Sequence, residues 1–382
     1  MERIDCRGLY KPPWHFSLEP DLLTISVMFF RPNVHSMSGY VPGEQPQDRR
    51  YIKLNTNENP YPPSPKVIDA LRAAADDMLR LYPDPLANML RDRAAAVYGV
   101  ARDNILVGNG SDELLGLVVR ACVGPGDRVV FPHPTYSLYD TLVTVQEGET
   151  VHVPYPADFS LPPGLAGAAG RVTLVCHPNS PSGTSITISD IAALAERVAG
   201  LLVVDEAYVD FADASALALV RQHGNVLILR TFSKSFSLAG MRIGLAFGAP
   251  AIIAELLKVK DSYNVTRLSI VAATAALEDY AWMQQNVARI RSTRTRLIEE
   301  LRKLGFSVLP SQANFVLARR PGQSVENVYL GLKERGILVR YFATPELRDA
   351  LRISVGTDDE IDALVTELRN AECGMRIAHR GV

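Results

Sequence analysis

"LLVVDEAYVDFADASALALVRQHGNVLILRTFSK" (residues 201–234) contains two short apolar runs, and each leads into side chains that carry chemistry. The run at 201–204 is followed at once by Asp205, and the run at 226–229 is followed shortly by Lys234. A continuous run of four apolar residues is typical of a strand that is buried on both faces of a parallel sheet. A lysine just beyond such a strand needs an explanation, because lysine ordinarily lies in water.

The same pattern recurs through the middle of the chain. Further apolar runs occupy residues 105–107, 129–131, 172–176 and 243–247. Helix-length segments such as 188–199 lie between several of these runs. The alternation predicts an α/β fold with a mainly parallel sheet flanked by helices.

The pattern changes after about residue 285. A long charged helix over 282–304 precedes short strands and two further helices, which predicts a smaller α+β domain. We therefore expect four parts: a poorly ordered extension at 1–36, a segment packed on the small domain at 37–65, a large domain at 66–285 and the small domain at 286–382.

The composition of the chain argues against several classes of partner. The chain has 382 residues, 47% hydrophobic and 21% charged, with a net charge of −2 and no long basic run, so we expect no nucleic-acid partner. The apolar stretch at 22–30 is too short to span a bilayer, and we expect no membrane association. The scattered cysteines predict free thiols in the cytoplasm and no metal site; they are Cys6, Cys122, Cys176 and Cys373.

One strand end predicts a phosphate site. The run at 105–107 leads into a glycine-rich turn ending at Gly110, and Ser111 and Asp112 then begin a helical pattern. Free N–H groups at a helix N-terminus suit a phosphate. No Gly-Lys-Ser/Thr is present, and Glu113 stands where a dinucleotide fingerprint needs its third glycine.

The other strand ends supply complementary groups, each of which alone has an ordinary structural explanation as a turn, a cap or a core residue. They are Tyr136, Asn179, Asp205, Tyr208, Ser233, Lys234 and Arg242. The carboxyl ends of parallel strands meet at one sheet edge, so we expect these groups to converge. Together they match pyridoxal 5′-phosphate, which carries one phosphate, a flat ring with a basic nitrogen, a ring oxygen and an aldehyde.

From about Tyr40 onward the chain resembles fold-type I pyridoxal-phosphate aminotransferases, and among them the histidinol-phosphate aminotransferases. The resemblance runs through YVPGEQP, LNTNENPYPPSP, LYPDP, GNGSDELL, HPTYSLY, HPNSPSGT, VVDEAYVDF, TFSKSFSLAGMRIG, KDSYN and LRISVGT. It implies a large domain with a mainly parallel seven-stranded sheet, and a smaller α+β domain built from the C-terminal part and the N-terminal segment.

The resemblance also implies a role for each cofactor-binding residue. Lys234 forms the Schiff base and later acts as the general base, and Asp205 pairs with the ring nitrogen. Tyr208 and Asn179 bond the ring oxygen. The remaining residues are Tyr136, which stacks on the ring; Gly110, Ser111, Asp112, Ser233 and Arg242, which hold the phosphate; and Tyr82, which reaches the neighbouring subunit's cofactor in a homodimer with shared active sites.

Substrate recognition is implied for Tyr40, Asn179, Arg340 and Arg352. By resemblance, the two arginines and Tyr40 hold the substrate phosphate. The implied reaction exchanges an amino group between L-histidinol phosphate and 2-oxoglutarate in histidine biosynthesis, with ping-pong kinetics.

Two related activities stay open from the sequence. One is an aromatic amino-acid aminotransferase, and the other is a decarboxylase of threonine phosphate. An aminotransferase-like sensor in a transcription regulator is disfavoured, since the roughly 40 residues before the match show no helix-turn-helix pattern.

Overall fold

The structure, a computed structural model, describes residues 29–378, with side chains described through Asn370. Most of the expected extension at 1–36 therefore lies outside the described residues. Its last part forms a short helix, Pro32–Ser36, in which the Asn33 amide donates to the carbonyl of Thr144 at 2.7 Å.

Twelve strands lie in the described part of the chain: β1 Ile52–Leu54, β2 Ile105–Gly108, β3 Arg128–His133, β4 Glu149–Pro154, β5 Val172–Cys176, β6 Leu201–Asp205, β7 Val226–Thr231, β8 Gly244–Gly248, β9 Ser307–Val308, β10 Phe315–Arg319, β11 Ile337–Tyr341 and β12 Ala350–Ser354. The α-helices of the same part are α1 Pro32–Ser36, α2 Pro65–Ala74, α3 Asn88–Tyr98, α4 Ser111–Cys122, α5 Leu138–Val145, α6 Ile188–Arg197, α7 Pro250–Val259, α8 Arg267–Glu278, α9 Tyr280–Lys303, α10 Glu326–Glu334 and α11 Asp358–Ala378.

Seven strands form one sheet in the order β2-β8-β7-β6-β5-β3-β4. Only β8 runs antiparallel to its neighbours, so the sheet is mainly parallel. The central strands β5 and β7 are buried along their whole length, which explains their continuous apolar runs. The α/β fold class is confirmed. Strand β4 has no such run, because it lies at the sheet edge and is only partly buried.

A second, five-stranded sheet has the order β1-β11-β12-β10-β9. Its strands come from the C-terminal part of the chain except for β1, which pairs in parallel with β11, Ile52 opposite Ile337. Three residues are too short to show a strand pattern in the sequence, so β1 is defined by its pairing. This pairing joins the N-terminal segment to the C-terminal sheet.

Among residues 29–378, no helix combines the length and the apolar character needed to cross a bilayer.

A buried ion pair links β7 to the segment after β6. The Glu206 carboxylate is fully enclosed and accepts from the Arg230 Nε at 3.0 Å and from the Ser215 hydroxyl at 2.9 Å. The Arg230 guanidinium also lies 4.9 Å from the ring centroid of Tyr98. Glu206 follows Asp205 directly, so this pair holds two strand ends of the site in register.

Replacing Glu206 by glutamine removes the charge nearest to Arg230 and keeps the size of the side chain. Because the buried guanidinium loses its nearest counter-charge and keeps only the longer pairing with Asp210 at 4.0 Å, we expect the free energy of unfolding to fall by about 3 kcal/mol. Urea unfolding followed by circular dichroism measures the loss. The matched control is Glu255→Gln, which breaks an exposed pair with Lys258 and should cost about 0.5 kcal/mol or less. Equal losses in the two variants would contradict this role.

Candidate active site

A cavity of about 420 Å³ lies at the carboxyl ends of the parallel strands, bounded also by the N-terminal segment and the second sheet. The sequence-predicted residues that line it are Tyr40, Ser111, Asp112, Tyr136, Asp205, Tyr208, Ser233, Lys234, Arg242, Arg340 and Arg352. Gly110 and Asn179 lie behind its wall, and Tyr82 lies away from it. Residues from many separate segments therefore converge on one space, as the strand-end pattern predicts.

Lys234 is partly buried at this cavity and is not a solvated lysine. Its Nζ donates to the main-chain carbonyl of Thr56 at 3.2 Å and lies 5.8 Å from the ring centroid of Tyr208. Burial, and then the positive charge of Arg352, lower the pKa of Lys234 to about 8. At neutral pH such an amine is neutral far more often than an ordinary lysine, as a nucleophile or a base requires.

Asp205 ends β6 and is buried at the cavity. Its Oδ2 accepts from the Tyr139 hydroxyl at 2.9 Å, and its Oδ1 accepts from the Ala207 N–H at 3.2 Å. Burial raises the pKa of Asp205 to about 6. In the described part of the chain no cationic side chain forms an ion pair with it, so the site has room for a cationic group from a ligand.

The cradle for an anion is built at the N-terminus of α4. Gly110 has φ +84°, and a Cβ there would lie 2.7 Å from the Arg242 guanidinium. Gly244 on β8 is equally constrained, since its Cβ would lie 2.8 Å from the main-chain nitrogen of Ser111. Both glycines therefore permit a close approach of backbone and guanidinium that a side chain would prevent.

Side chains complete this cradle. The Arg242 guanidinium donates to Asp112 at 3.1 Å and, more weakly, to the Ser233 hydroxyl at 3.4 Å. Asp112 also accepts from the Tyr136 hydroxyl at 3.1 Å. The hydroxyls, the guanidinium and the helix N–H groups form a donor set suited to a phosphate.

Asn179 is held behind the cavity wall. Its Oδ1 accepts from the Thr135 hydroxyl at 2.7 Å, and its Nδ2 donates to the Ser182 hydroxyl at 2.9 Å. Its amide thus serves contacts within the protein. The Ser182 hydroxyl accepts one of the two amide hydrogens.

Two arginines face each other across neighbouring strands of the second sheet, Arg340 on β11 directly opposite Arg352 on β12. Like charges in this position repel, which favours an anion between them. Arg352 donates to the Ser180 hydroxyl at 3.1 Å and to the Asn55 carbonyl at 2.9 Å, and its buried Nε has no protein partner. Arg340 donates to two carbonyls of the segment that carries Tyr40.

Tyr82 is 80% exposed and stacks on Tyr263 at a centroid distance of 4.3 Å. It contacts no part of the cavity within its own chain. Exposed apolar neighbours surround its stretch of sequence: Met78, Leu79, Leu81, Leu86 and Met89.

Three residues that contact the site were not predicted from the sequence. Thr56 acts through its carbonyl, and a main-chain contact leaves no residue-type signal. Tyr139 lies in the quoted block HPTYSLY. It comes three residues after Tyr136, and in a helical segment that spacing would place both tyrosines on one face. Asn57 lies in the quoted block LNTNENPYPPSP and donates to the Tyr208 oxygen at 3.1 Å.

Most of the chain matches known proteins. The aminotransferase class I and II family matches residues 49–368. A histidinol-phosphate aminotransferase of Citrifermentans bemidjiense is 48% identical over 341 residues, which cover 89% of this chain and 97% of that protein. Histidinol-phosphate aminotransferase 1 of Trichormus variabilis is 47% identical over 90% of this chain and 98% of that protein.

This chain belongs to the histidinol-phosphate aminotransferase family. Among solved structures of that family, the Sinorhizobium meliloti enzyme in complex with pyridoxal 5′-phosphate is similar, with a TM-score of 0.83 and 29% identity over 90% of this chain and 98% of that one. The similarity to this structure confirms the fold that the sequence predicts.

The lowered pKa of Lys234 can be measured on the cofactor-free protein. We expect its labelling by acetic anhydride to reach half its maximal rate near pH 8, whereas an ordinary lysine titrates near ~10.4. Peptide mass spectrometry measures the profile, with the peptide containing the exposed Lys258 as the internal comparison. Superimposable profiles for the two lysines would contradict the desolvated environment.

The raised pKa of Asp205 implies a stability cost at neutral pH. A buried carboxyl that binds its proton more tightly when folded loses stability as pH rises from about 4 to about 6, so the full cost is present at pH 7. We expect Asp205→Asn to raise the free energy of unfolding of the cofactor-free protein by about 2–3 kcal/mol at pH 7, and by little near pH 4. Urea unfolding at both values tests this, with Asp69→Asn as an exposed control. A gain independent of pH would rule out the titration as its cause.

Proposed function

We propose that this chain exchanges an amino group between L-histidinol phosphate and 2-oxoglutarate, a step of histidine biosynthesis, by a ping-pong mechanism with pyridoxal 5′-phosphate. The observation that carries the proposal is the pair Arg340 and Arg352, opposed across two strands in the same cavity as Lys234. The names of relatives at 47–48% identity over about nine tenths of the chain support it.

The residues present fit the proposed cofactor. The cradle at the start of α4 offers N–H, hydroxyl and guanidinium donors for a phosphate, with Gly110, Ser111, Asp112, Ser233 and Arg242 as its members. Asp205 offers an anion for the ring nitrogen. Tyr208 and Asn179 would bond the ring oxygen, and Tyr136 would stack on the face of the ring.

When bound, pyridoxal 5′-phosphate supplies an aldehyde that takes up an amino group and a ring that accepts electrons released at the substrate Cα. Lys234 would hold the group covalently. The Nζ of Lys234, when neutral, would also be the base that takes up the proton leaving the substrate Cα. Asp205 would keep the ring nitrogen protonated, since a nearby anion favours the charged form.

The arginine pair would select the substrate. Two guanidinium groups suit a dianionic phosphate, which can accept from both at once. The Nε of Arg352, buried and without a protein partner, is a ready donor for such a ligand. Tyr40 would hold the substrate phosphate together with the two arginines, and in the second half-reaction the same arginines would accept glutamate.

We also propose a homodimer with shared active sites. The exposure of Tyr82 and of the apolar side chains near it supports a contact with a second copy, in which Tyr82 would reach the partner's cofactor phosphate. The division into a large domain at 66–285 and a small domain at 286–382, joined by the segment at 37–65, is part of the same proposal. The free thiols of Cys122 and Cys176 support a cytoplasmic location.

The decisive measurement is kcat/KM for histidinol phosphate against phenylalanine, each with 2-oxoglutarate as the acceptor. We expect histidinol phosphate to be preferred by at least about tenfold, since phenylalanine lacks the phosphate that the arginine pair would bind. A preference for phenylalanine would identify an aromatic amino-acid aminotransferase instead. Release of CO2 from threonine phosphate would identify the decarboxylase.

The matched control in this assay is Lys234→Ala. It should abolish turnover of both substrates and still retain the cofactor noncovalently, because the phosphate cradle is intact. Normal turnover by this variant would refute the role of Lys234.

A further inference from the structure

Asn57 occupies an unusual position between the two sheets. It is buried, and its φ of +57° lies in the left-handed region, which asparagine tolerates and most residues avoid. Such conformations persist where the surrounding structure holds them, often at functional sites. The segment that contains Asn57 also supplies Thr56, whose carbonyl accepts from Lys234.

The orientation of the Asn57 amide is fixed by Ser354. The main-chain N–H of Asn57 donates to the Ser354 hydroxyl at 2.9 Å, and that hydroxyl donates back to the Asn57 Oδ1 at 2.9 Å. Because an amide oxygen only accepts and the amide nitrogen only donates, Nδ2 must face the other way. It does so toward the Tyr208 oxygen, at 3.1 Å.

These hydrogen bonds leave the hydroxyl hydrogen of Tyr208 available to another acceptor. The phenol oxygen accepts from Asn57, whose own acceptor is already used by Ser354. In the part of the chain that the structure describes, the Tyr208 hydroxyl donates to no other group. Burial raises the pKa of Tyr208 to about 12, so the hydroxyl keeps its proton at neutral pH. Tyr208 lines the cavity, where that proton is available to a ligand.

We propose that Asn57 and Ser354 are positioning residues that force the Tyr208 hydroxyl to act as a donor toward the cavity. The inference rests on the proposed function, in which the acceptor is the ring oxygen of pyridoxal 5′-phosphate. Ser354 lies two residues from Arg352 on β12, so both side chains stand on the same face of that strand. One strand thus carries a substrate-binding arginine and the residue that orients Tyr208 through Asn57.

Two substitutions separate this role from simple packing. Asn57→Gly keeps the left-handed backbone and its bond to Ser354 but removes the amide that orients Tyr208. Asn57→Asp keeps the shape but offers only acceptors when ionised, so it would draw the Tyr208 hydrogen away from the cavity. Tyr208→Phe removes the hydrogen itself and sets the reference.

The experiment is a pH titration of the visible absorption of the cofactor-loaded enzyme. A donor on the ring oxygen withdraws negative charge from it, so loss of the donor should raise the pH at which the bound cofactor loses its proton. We expect Asn57→Gly to shift the midpoint upward in the same direction as Tyr208→Phe, by about one pH unit, a tenfold change in proton affinity. In the Tyr208→Phe background, Asn57→Gly should add almost nothing.

The control is Asn225→Asp, which alters an asparagine that bonds main-chain carbonyls outside the cavity, including that of Ala195 at 3.0 Å. It should lower stability without moving the midpoint. If Asn57→Gly does not fold, Asn57→Asp takes its place. We then expect Asn57→Asp to raise the midpoint of the titration more when Tyr208 is present than when it is replaced by phenylalanine.

A wild-type midpoint in Asn57→Gly, or an equal shift in both backgrounds, would overturn the inference and leave the proposed function standing. A wild-type enzyme with no visible band after addition of pyridoxal 5′-phosphate, and with no Lys234 peptide tagged by borohydride, would refute both.

Discussion

The site depends on one physical constraint: the fold takes an amine and a carboxylate out of water without pairing them with each other. Asp205 is the last residue of β6 and Lys234 follows the neighbouring strand β7, and burial moves both pKa values toward neutrality. An unpaired buried charge is costly, so each group is poised to gain from a ligand of complementary charge or reactivity. The buried pair of Glu206 and Arg230 joins β7 to the segment that follows β6 beside the site.

The N-terminal segment integrates the two sheets. It adds β1 to the C-terminal sheet and then passes between the sheets, where three successive residues serve different partners. The Asn55 carbonyl accepts from Arg352, the Thr56 carbonyl accepts from Lys234, and Asn57 donates to Tyr208. Because main-chain carbonyls supply two of these contacts, no residue-type pattern reveals them. The substrate arginine and the reactive lysine are thereby linked through a few residues.

The sequence predicted correctly those features that depend on a few consecutive residues. The continuous runs of β6 and β7 predicted buried parallel strands, and the groups after them converge on one cavity, as expected of a sheet edge. Prediction failed for the partly buried edge strand β4 and for β1, which exists only through its pairing with a strand almost 300 residues away.

The sequence by itself determined which chemical groups stand at the strand ends, because strand, turn and helix signals span only a few residues. The order of the quoted sequence blocks along the chain also determined the family. Tertiary structure alone decided the desolvation of Lys234, the opposition of Arg340 and Arg352, and the direction of the hydrogen bonds that reach Tyr208. Burial, strand register and hydrogen-bond polarity arise from contacts between segments far apart in the chain, so no local pattern encodes them.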